Sequence, residues 1–174
     1  QVSSRDIQGT GAAAAVLTLS DGLTYDYGSV ASGSSNDKTF TLTNVGGVSA
    51  SGITGSGLVA PFSFKGGSYP GTGGTCSTSL ASSGTCSLIV TYSPSAVGAL
   101  SDTIELNYFD GGGAKTSNRG VIGTGANPAN LTLSDSPTFD FGNMANGGTL
   151  DGTLTLSNSG DVAATSLTGA GLAA

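Results

Sequence analysis

Histidine and tryptophan are absent from this 174-residue chain, and charged residues make up only 9% of it. Each scarcity excludes something. Nucleophilic catalysis by one of the many serines needs a base beside the hydroxyl, and histidine, the usual one, is missing. Two cysteines without histidine are too few ligands for a zinc site. The five Lys and Arg residues (Arg5, Lys38, Lys65, Lys115 and Arg119) are scattered along the chain, and the net charge is −6. No basic stripe exists to neutralise phosphates, so nucleic acid is excluded as a partner, and an anionic membrane surface repels the chain. No apolar run approaches the ~18–20 residues that span a bilayer. Asp102 and the single glutamate, Glu105, lie three apart on an expected strand, so they face opposite sides and cannot flank one bond.

What the chain has is glycine, 30 residues, with abundant serine and threonine. Such a composition fits a flexible linker or disorder, but disorder goes with high charge and low hydrophobicity. Here hydrophobic residues reach 37% with little charge. They fall in short alternating runs between turn clusters, the pattern of an all-β protein.

The stretch Gly9–Ala60 recurs at Gly123–Ala174 without a gap, with roughly half of the positions identical. The match extends upstream, where Ser3, Arg5 and Ile7 correspond to Ser117, Arg119 and Val121. A period this long suits one domain per repeat rather than a solenoid coil. Residues 1–11 therefore read as the last strand of a preceding module, 12–125 as a complete module, and 126–174 as the first half of a following one. The chain reads as a window on a longer array. Two explanations of the half-module stand side by side: a segment of a longer fibre, or strand exchange between neighbouring chains.

Within a module the expected strands are Val16–Ser20, Thr24–Gly28, Lys38–Asn44, Ser51–Leu58, a short run from Phe62, Thr85–Tyr92, Leu100–Phe109 and Arg119–Ile122. Phe40 and Leu42 point inward, as do Leu88, Val90 and Tyr92, and Ile104, Leu106 and Tyr108. Tyr25 and Tyr27 flank Asp26, and Phe139 and Phe141 flank Asp140. The exchange of Tyr for Phe suggests that ring burial is what matters there. Gly28 and Gly142 then mark a turn or bulge. Lys65–Thr75 is a Gly-rich loop.

Cys76 and Cys86 read as one disulfide in an oxidising compartment, with two buried free thiols as the alternative. Asp26 and Asp140 are candidates for Ca²⁺ at a module junction, or for the cap of a turn. The Gly-rich stretches precede no helix carrying a lysine, so they do not read as phosphate loops. Asn130-Leu131-Thr132 is a sequon whose counterpart begins with Val16, so it is not a repeated feature. Tyr69, in the Gly-rich loop, is the best candidate for contact with a ligand, against the alternative of a ring covering the end of the sandwich. No catalytic residue, cofactor or metal is expected.

The segments TYDYGSV, TFTLTNVGG, TCSTSLASSGTCSLIVTYSPSAVG and VIGTGA together resemble a set of bacterial immunoglobulin-like repeats, the choice-of-anchor D domains. These are similar to ASPM–SPD-2–Hydin domains and, more distantly, to major-sperm-protein and PapD-like sandwiches. The matching positions are Tyr25–Gly28, Thr39–Gly46, Cys76–Cys86 and Val90–Gly98. The resemblance implies tandem β-sandwich modules of seven to eight short strands in large secreted or cell-surface bacterial proteins, and it implies no enzyme. The function expected is that of a structural repeat in an extracellular fibre, stalk or giant adhesin. Its partners would be neighbouring repeats of the same protein and other copies of the chain in a filament. The alternatives are an adhesion module for carbohydrate or a surface protein, and an accessory domain of a secreted enzyme.

Overall fold

A computed structural model describes residues 1–135 and 137–170; Ser136 and the last four residues of the trailing repeat, 171–174, lie outside the described residues. Eleven strands follow in order: β1 (Leu17–Leu19), β2 (Thr24–Ala31), β3 (Asn36–Asn44), β4 (Ala50–Ser56), β5 (Phe62–Phe64), β6 (Ser79–Leu80), β7 (Thr85–Tyr92), β8 (Gly98–Phe109), β9 (Ala114–Ala126), β10 (Leu131–Leu133) and β11 (Leu156–Asn158). The described residues contain no helix. The first nine strands make two sheets, one of order β1-β3-β7-β5 and one of order β2-β9-β8-β4-β6. All pairs are antiparallel except β2 with β9. The last two strands form a separate antiparallel pair. This is the all-β sandwich that the alternation predicts, with nine strands rather than seven or eight. The extra one is β6, two residues too short to show a period.

The alternation sets the core. Phe40, Leu42, Leu88, Val90 and Tyr92 from one sheet meet Ile53, Ile104, Leu106 and Val121 from the other, and all are fully buried. Each such side chain contributes roughly 1.5–3 kcal/mol on leaving water. Register locks the faces together: Phe40 stands opposite Leu88, and Lys38 opposite Val90. A slip of one residue would turn every one of these side chains outward.

Three rings fill one end of the core. Phe62 stacks on Tyr92 at 4.6 Å between centroids, and Tyr27 packs against Tyr92 at 5.5 Å. Gly123 makes room for them, because a Cβ there would fall 2.6 Å from Tyr92 Cε1. Tyr27 also donates its hydroxyl to the Val90 carbonyl, 2.8 Å away. That corrects the inference from the Tyr-to-Phe exchange: in the first copy the hydroxyl crosses the sandwich and is used, and burial pushes its pKa upward.

Gly28 does not end its strand. β2 continues to Ala31 through a register irregularity between Asp26 and Ser29, with Gly28 at a φ of 69°. β9 is also longer than the sequence suggests, at 13 residues. Its alternation is hidden because Gly123 and Gly125 stand where apolar side chains would otherwise mark the period.

The Gly-rich loop is ordered by backbone bonds to β7. Lys65 N–H donates to Ile89 O, Ile89 N–H to Pro70 O, and Thr75 and Cys76 N–H both to Ser87 O. The edge of β7 beyond the short β5 is thereby covered, which protects it from pairing with another chain. Cys76 and Cys86 are disulfide-bonded across this cover.

Candidate functional site

β1 is a short edge strand. Its residues 16, 18 and 20 face β3, where Ser20 N–H donates to Thr41 O and Val45 N–H to Val16 O. The polar groups of Leu17 and Leu19 point the other way and need other partners. The opposite sheet supplies them with side chains. Ser117 Oγ donates to Leu17 O at 2.8 Å, the Tyr108 hydroxyl accepts from Leu17 N–H at 3.4 Å, and Arg119 Nη2 donates to Leu19 O. Ser117 and Arg119 sit two apart on β9, so both reach the same side. We call this trio the clasp. It ties the last two strands of the module, β8 and β9, to the first.

Arg119 is 5% exposed. Its Nε and Nη1 have no hydrogen-bond partner among the described residues. Burial lowers its pKa from the usual guanidinium value, and the charge of Asp21 opposes that shift. Sequence reasoning matched Arg5 to Arg119 but missed the clasp. The signal was the pattern Ser-x-Arg-x-[Ile/Val] shared by 3–7 and 117–121.

The chain enters and leaves this module at opposite poles. At the proximal pole Ala15 N–H donates to the carbonyl of Asp110, in the turn that joins β8 to β9. At the distal pole Ser32 N–H donates to Ala126 O, the last residue of β9, and Gly33 N–H to Pro94 O. The β8–β9 ladder runs between them from Phe109↔Ala114 to Gly98↔Gly125. At ~3.3 Å per residue the poles lie roughly 35–40 Å apart. Directly after Ala126 the second copy begins: Asn127 N–H and Nδ2 donate to Asp161 Oδ2 at 3.0 and 2.7 Å, and Asp161 N–H donates to Asn127 O. The backbone bond repeats Gly47 N–H to Ala13 O in the first copy. The side-chain bonds are new, because Asn127 and Asp161 stand where the first copy has Ala13 and Gly47.

The other candidates are placed as follows. Asp26 Oδ1 accepts the Gly28 N–H and Asp140 Oδ1 the Gly142 N–H, both at 2.7 Å, so each carboxylate caps its own turn. Asp26 also borders a surface depression of about 240 Å³ lined by Leu100, Ser101 and Ile122, in which it is the one titratable group. Tyr69 is half-buried, its ring edge-on to Phe64 at 5.7 Å and its hydroxyl 3.4 Å from Ser77 O. Burial pushes its pKa up to about 12. The two acidic residues of β8 do not converge: Asp102 accepts from Val59 and Thr103 N–H.

No family model matches the chain, and no curated protein does. Solved structures do match. A PapD-like (ASH) domain of human CEP192 superposes with a TM-score of 0.50 at 17% identity, covering 74% of this chain and 97% of that domain. The chain has a PapD-like β-sandwich fold. A protein of unknown function from Porphyromonas gingivalis W83 is similar over 66% of this chain and 49% of its own, with a TM-score of 0.49 and 15% identity. The Vibrio cholerae protease VesB is similar over 62% of this chain and 31% of its own, with a TM-score of 0.47 and 23% identity. The two sheets of the sandwich are built from β1 to β9.

Proposed function

We propose that the chain is a run of structural spacer modules from an extracellular or cell-surface fibre, stalk or adhesin, as in the bacterial choice-of-anchor D repeats that its motifs resemble. The observation that carries this reading is the polar geometry of the module. A chain that enters at one pole and leaves at the other strings its modules end to end, and here the next copy's own Asn127–Asp161 bond begins one residue after β9 ends. So short a junction restricts the hinge. The disulfide supports an oxidising location. In this reading the chain does no chemistry of its own. Its work is to hold a distal domain at a distance, or to form the fibre itself.

Small-angle scattering on arrays of one, two and three copies tests this. The maximum dimension should grow by a constant increment of roughly 40 Å per copy. Growth with the square root of copy number, as for a freely jointed chain, would overturn the reading.

A further inference from the structure

Residues 15–31 run alongside β9 in the same direction. Ser117 reaches the carbonyl of Leu17 and Arg119 that of Leu19, so β1 lies beside the first half of β9 and points the same way. In the bend that follows, the Gly120 N–H donates to Leu23 O. β2 then takes the second half in parallel, with Thr24 opposite Gly120 and Ala31 opposite Ala126. The path opens at the proximal pole with Ala15 N–H on Asp110 O and closes at the distal pole with Ser32 N–H on Ala126 O. The pairing of β2 with β9 is interrupted once. Between Asp26 and Ser29 the first strand carries one residue more than its partner, and the Asp26 carboxylate takes the Gly28 N–H there. The extra residue leaves Tyr27 and Val30, three apart, both in the core. Tyr27 thus sits in the unpaired interval. Its hydroxyl bonds Val90 O on the opposite sheet, and its ring lies against Phe62 at 5.9 Å and Tyr92 at 5.5 Å.

We propose that β1, β2 and β9 form a mechanical clamp, with Tyr27 as its pin, through which the module bears tension applied between its poles. In a string of modules, tension enters at Ala15 and leaves at Ala126. Residues 15–31 and β9 run the same way and are held at opposite ends, so tension draws them past each other along their common axis. The evenly spaced bonds of a parallel pair then share the pull and fail together. Had β9 run antiparallel to β2, the two chain ends would lie at one pole. The same tension would part the strands from that end, one bond at a time. Sliding in the actual geometry must break the clasp at Leu17 and Leu19 and both paired stretches of β2. It must also drag the Tyr27 ring from between Phe62 and Tyr92. The clamp rests on the spacer reading for its purpose, and deepens it by saying which bonds carry the pull.

Single-molecule force spectroscopy on the full 174-residue chain is the test. Handles are attached at introduced cysteines, since Cys76 and Cys86 are bonded to each other. Ala13→Cys with Asn127→Cys loads the module from pole to pole. Ser35→Cys with Asn127→Cys holds the distal ends of β2 and β9 and peels β9 away. All three positions are exposed, so none of the changes disturbs the core. Forced unfolding reports the barrier rather than the equilibrium, so one fold pulled along two axes is its own control. The pole-to-pole axis should need a several-fold higher force than the peeling axis. Tyr27→Phe keeps the ring and removes the hydroxyl, and it should lower the pole-to-pole force more than the peeling force. Equal forces on the two axes, or a higher force on peeling, would overturn the clamp. A Tyr27→Phe chain that weakens equally on both axes, or on neither, would overturn the role of Tyr27 as its pin. None of these results touches the spacer reading, which fails only if multi-copy arrays are freely jointed.

Discussion

Leu17 and Leu131 occupy the same place in two copies of one sequence, and only the first lies in a core. The local structure around them is nearly the same. Asn44 ends β3 and Asn158 ends β11, and their side chains bond alike. Oδ1 of Asn44 accepts from Val16 and Gly46 N–H, while Nδ2 donates to Val48 O. Asn158 accepts from Asn130 and Gly160 N–H and donates to Val162 O. Ser20 and Ser134 likewise accept the N–H of Thr41 and Thr155. Short-range sequence thus builds the pairing of β1 with β3 and the turns beside it without help from the rest of a module. It does not bury them. What the first copy adds is distant in sequence: β7 beside β3, and β9 beside β2.

The largest break in this comparison is Asn44→Ala. In the first copy Nδ2 lies 3.1 and 3.2 Å from the Leu80 and Ala81 carbonyls, and the side chain is fully buried. Removal strands several buried polar groups, at about 3 kcal/mol. Asn158→Ala removes the local bonds alone from an exposed site and should cost under about 1 kcal/mol. Urea unfolding of the two variants measures the difference. Equal shifts would mean that the distant carbonyls add nothing to the local motif.

Next in size is the disulfide, which lies outside the stretch that the two copies share. Cys76 and Cys86 are ten residues apart, and a loop of that size gives about 2–3 kcal/mol of chain-entropy stabilisation. Cys76→Ser with Cys86→Ser should lower the unfolding midpoint accordingly and expose the edge of β7 that the Gly-rich loop covers. Faster exchange of the Ile89 and Ser87 amides would show it. Protection unchanged from the native chain would mean that the loop holds without its bridge.

The Arg119 clasp comes third, because burying the guanidinium offsets much of what it contributes. Arg119→Ala leaves the Leu19 carbonyl without its donor, and the expected cost is about 1–2 kcal/mol. Arg119→Met fills the same space without a charge and should fall within about 1 kcal/mol of the native chain. If Met were as damaging as Ala, the hydrogen bond to the Leu19 carbonyl, and not the packing of the side chain, would be the stabilising element.

These contrasts show which parts of the molecule could be read in advance. Strands with regular alternation, such as Thr85–Tyr92, were legible because burial on one face leaves a period of two in the sequence. β9 was underestimated, since its inward positions at 123 and 125 are glycines that make room for Tyr92 and for the carbonyl of Ala96. β6 is held by two residue pairs with β4 and has too few residues for any pattern. The parallel pairing of β2 with β9 joins segments about a hundred residues apart, and no local signal announces it. The Ser-x-Arg repeat was visible, but its meaning depends on where the carbonyls of β1 point, which is a property of the folded edge.

The smallest effect concerns the proximal turn. Asp110 Oδ1 accepts the N–H groups of Gly112 and Gly113, both at 2.7 Å, and Lys115 Nζ lies 3.9 Å from Oδ2. The two backbone donors, with Lys115 adding less, hold the carboxyl below its usual range. The folded pKa is thus lower than the unfolded one, near 4. The contribution to stability is present above that value and is lost as pH falls through the folded pKa. Asp110→Asn keeps an acceptor oxygen for the glycines but not the charge. The gap between native and variant unfolding midpoints should therefore be widest near neutral pH and close on acidification below pH 4. A gap that stays constant across this range would show that turn geometry alone, and not the carboxylate charge, closes the proximal pole over Ala15.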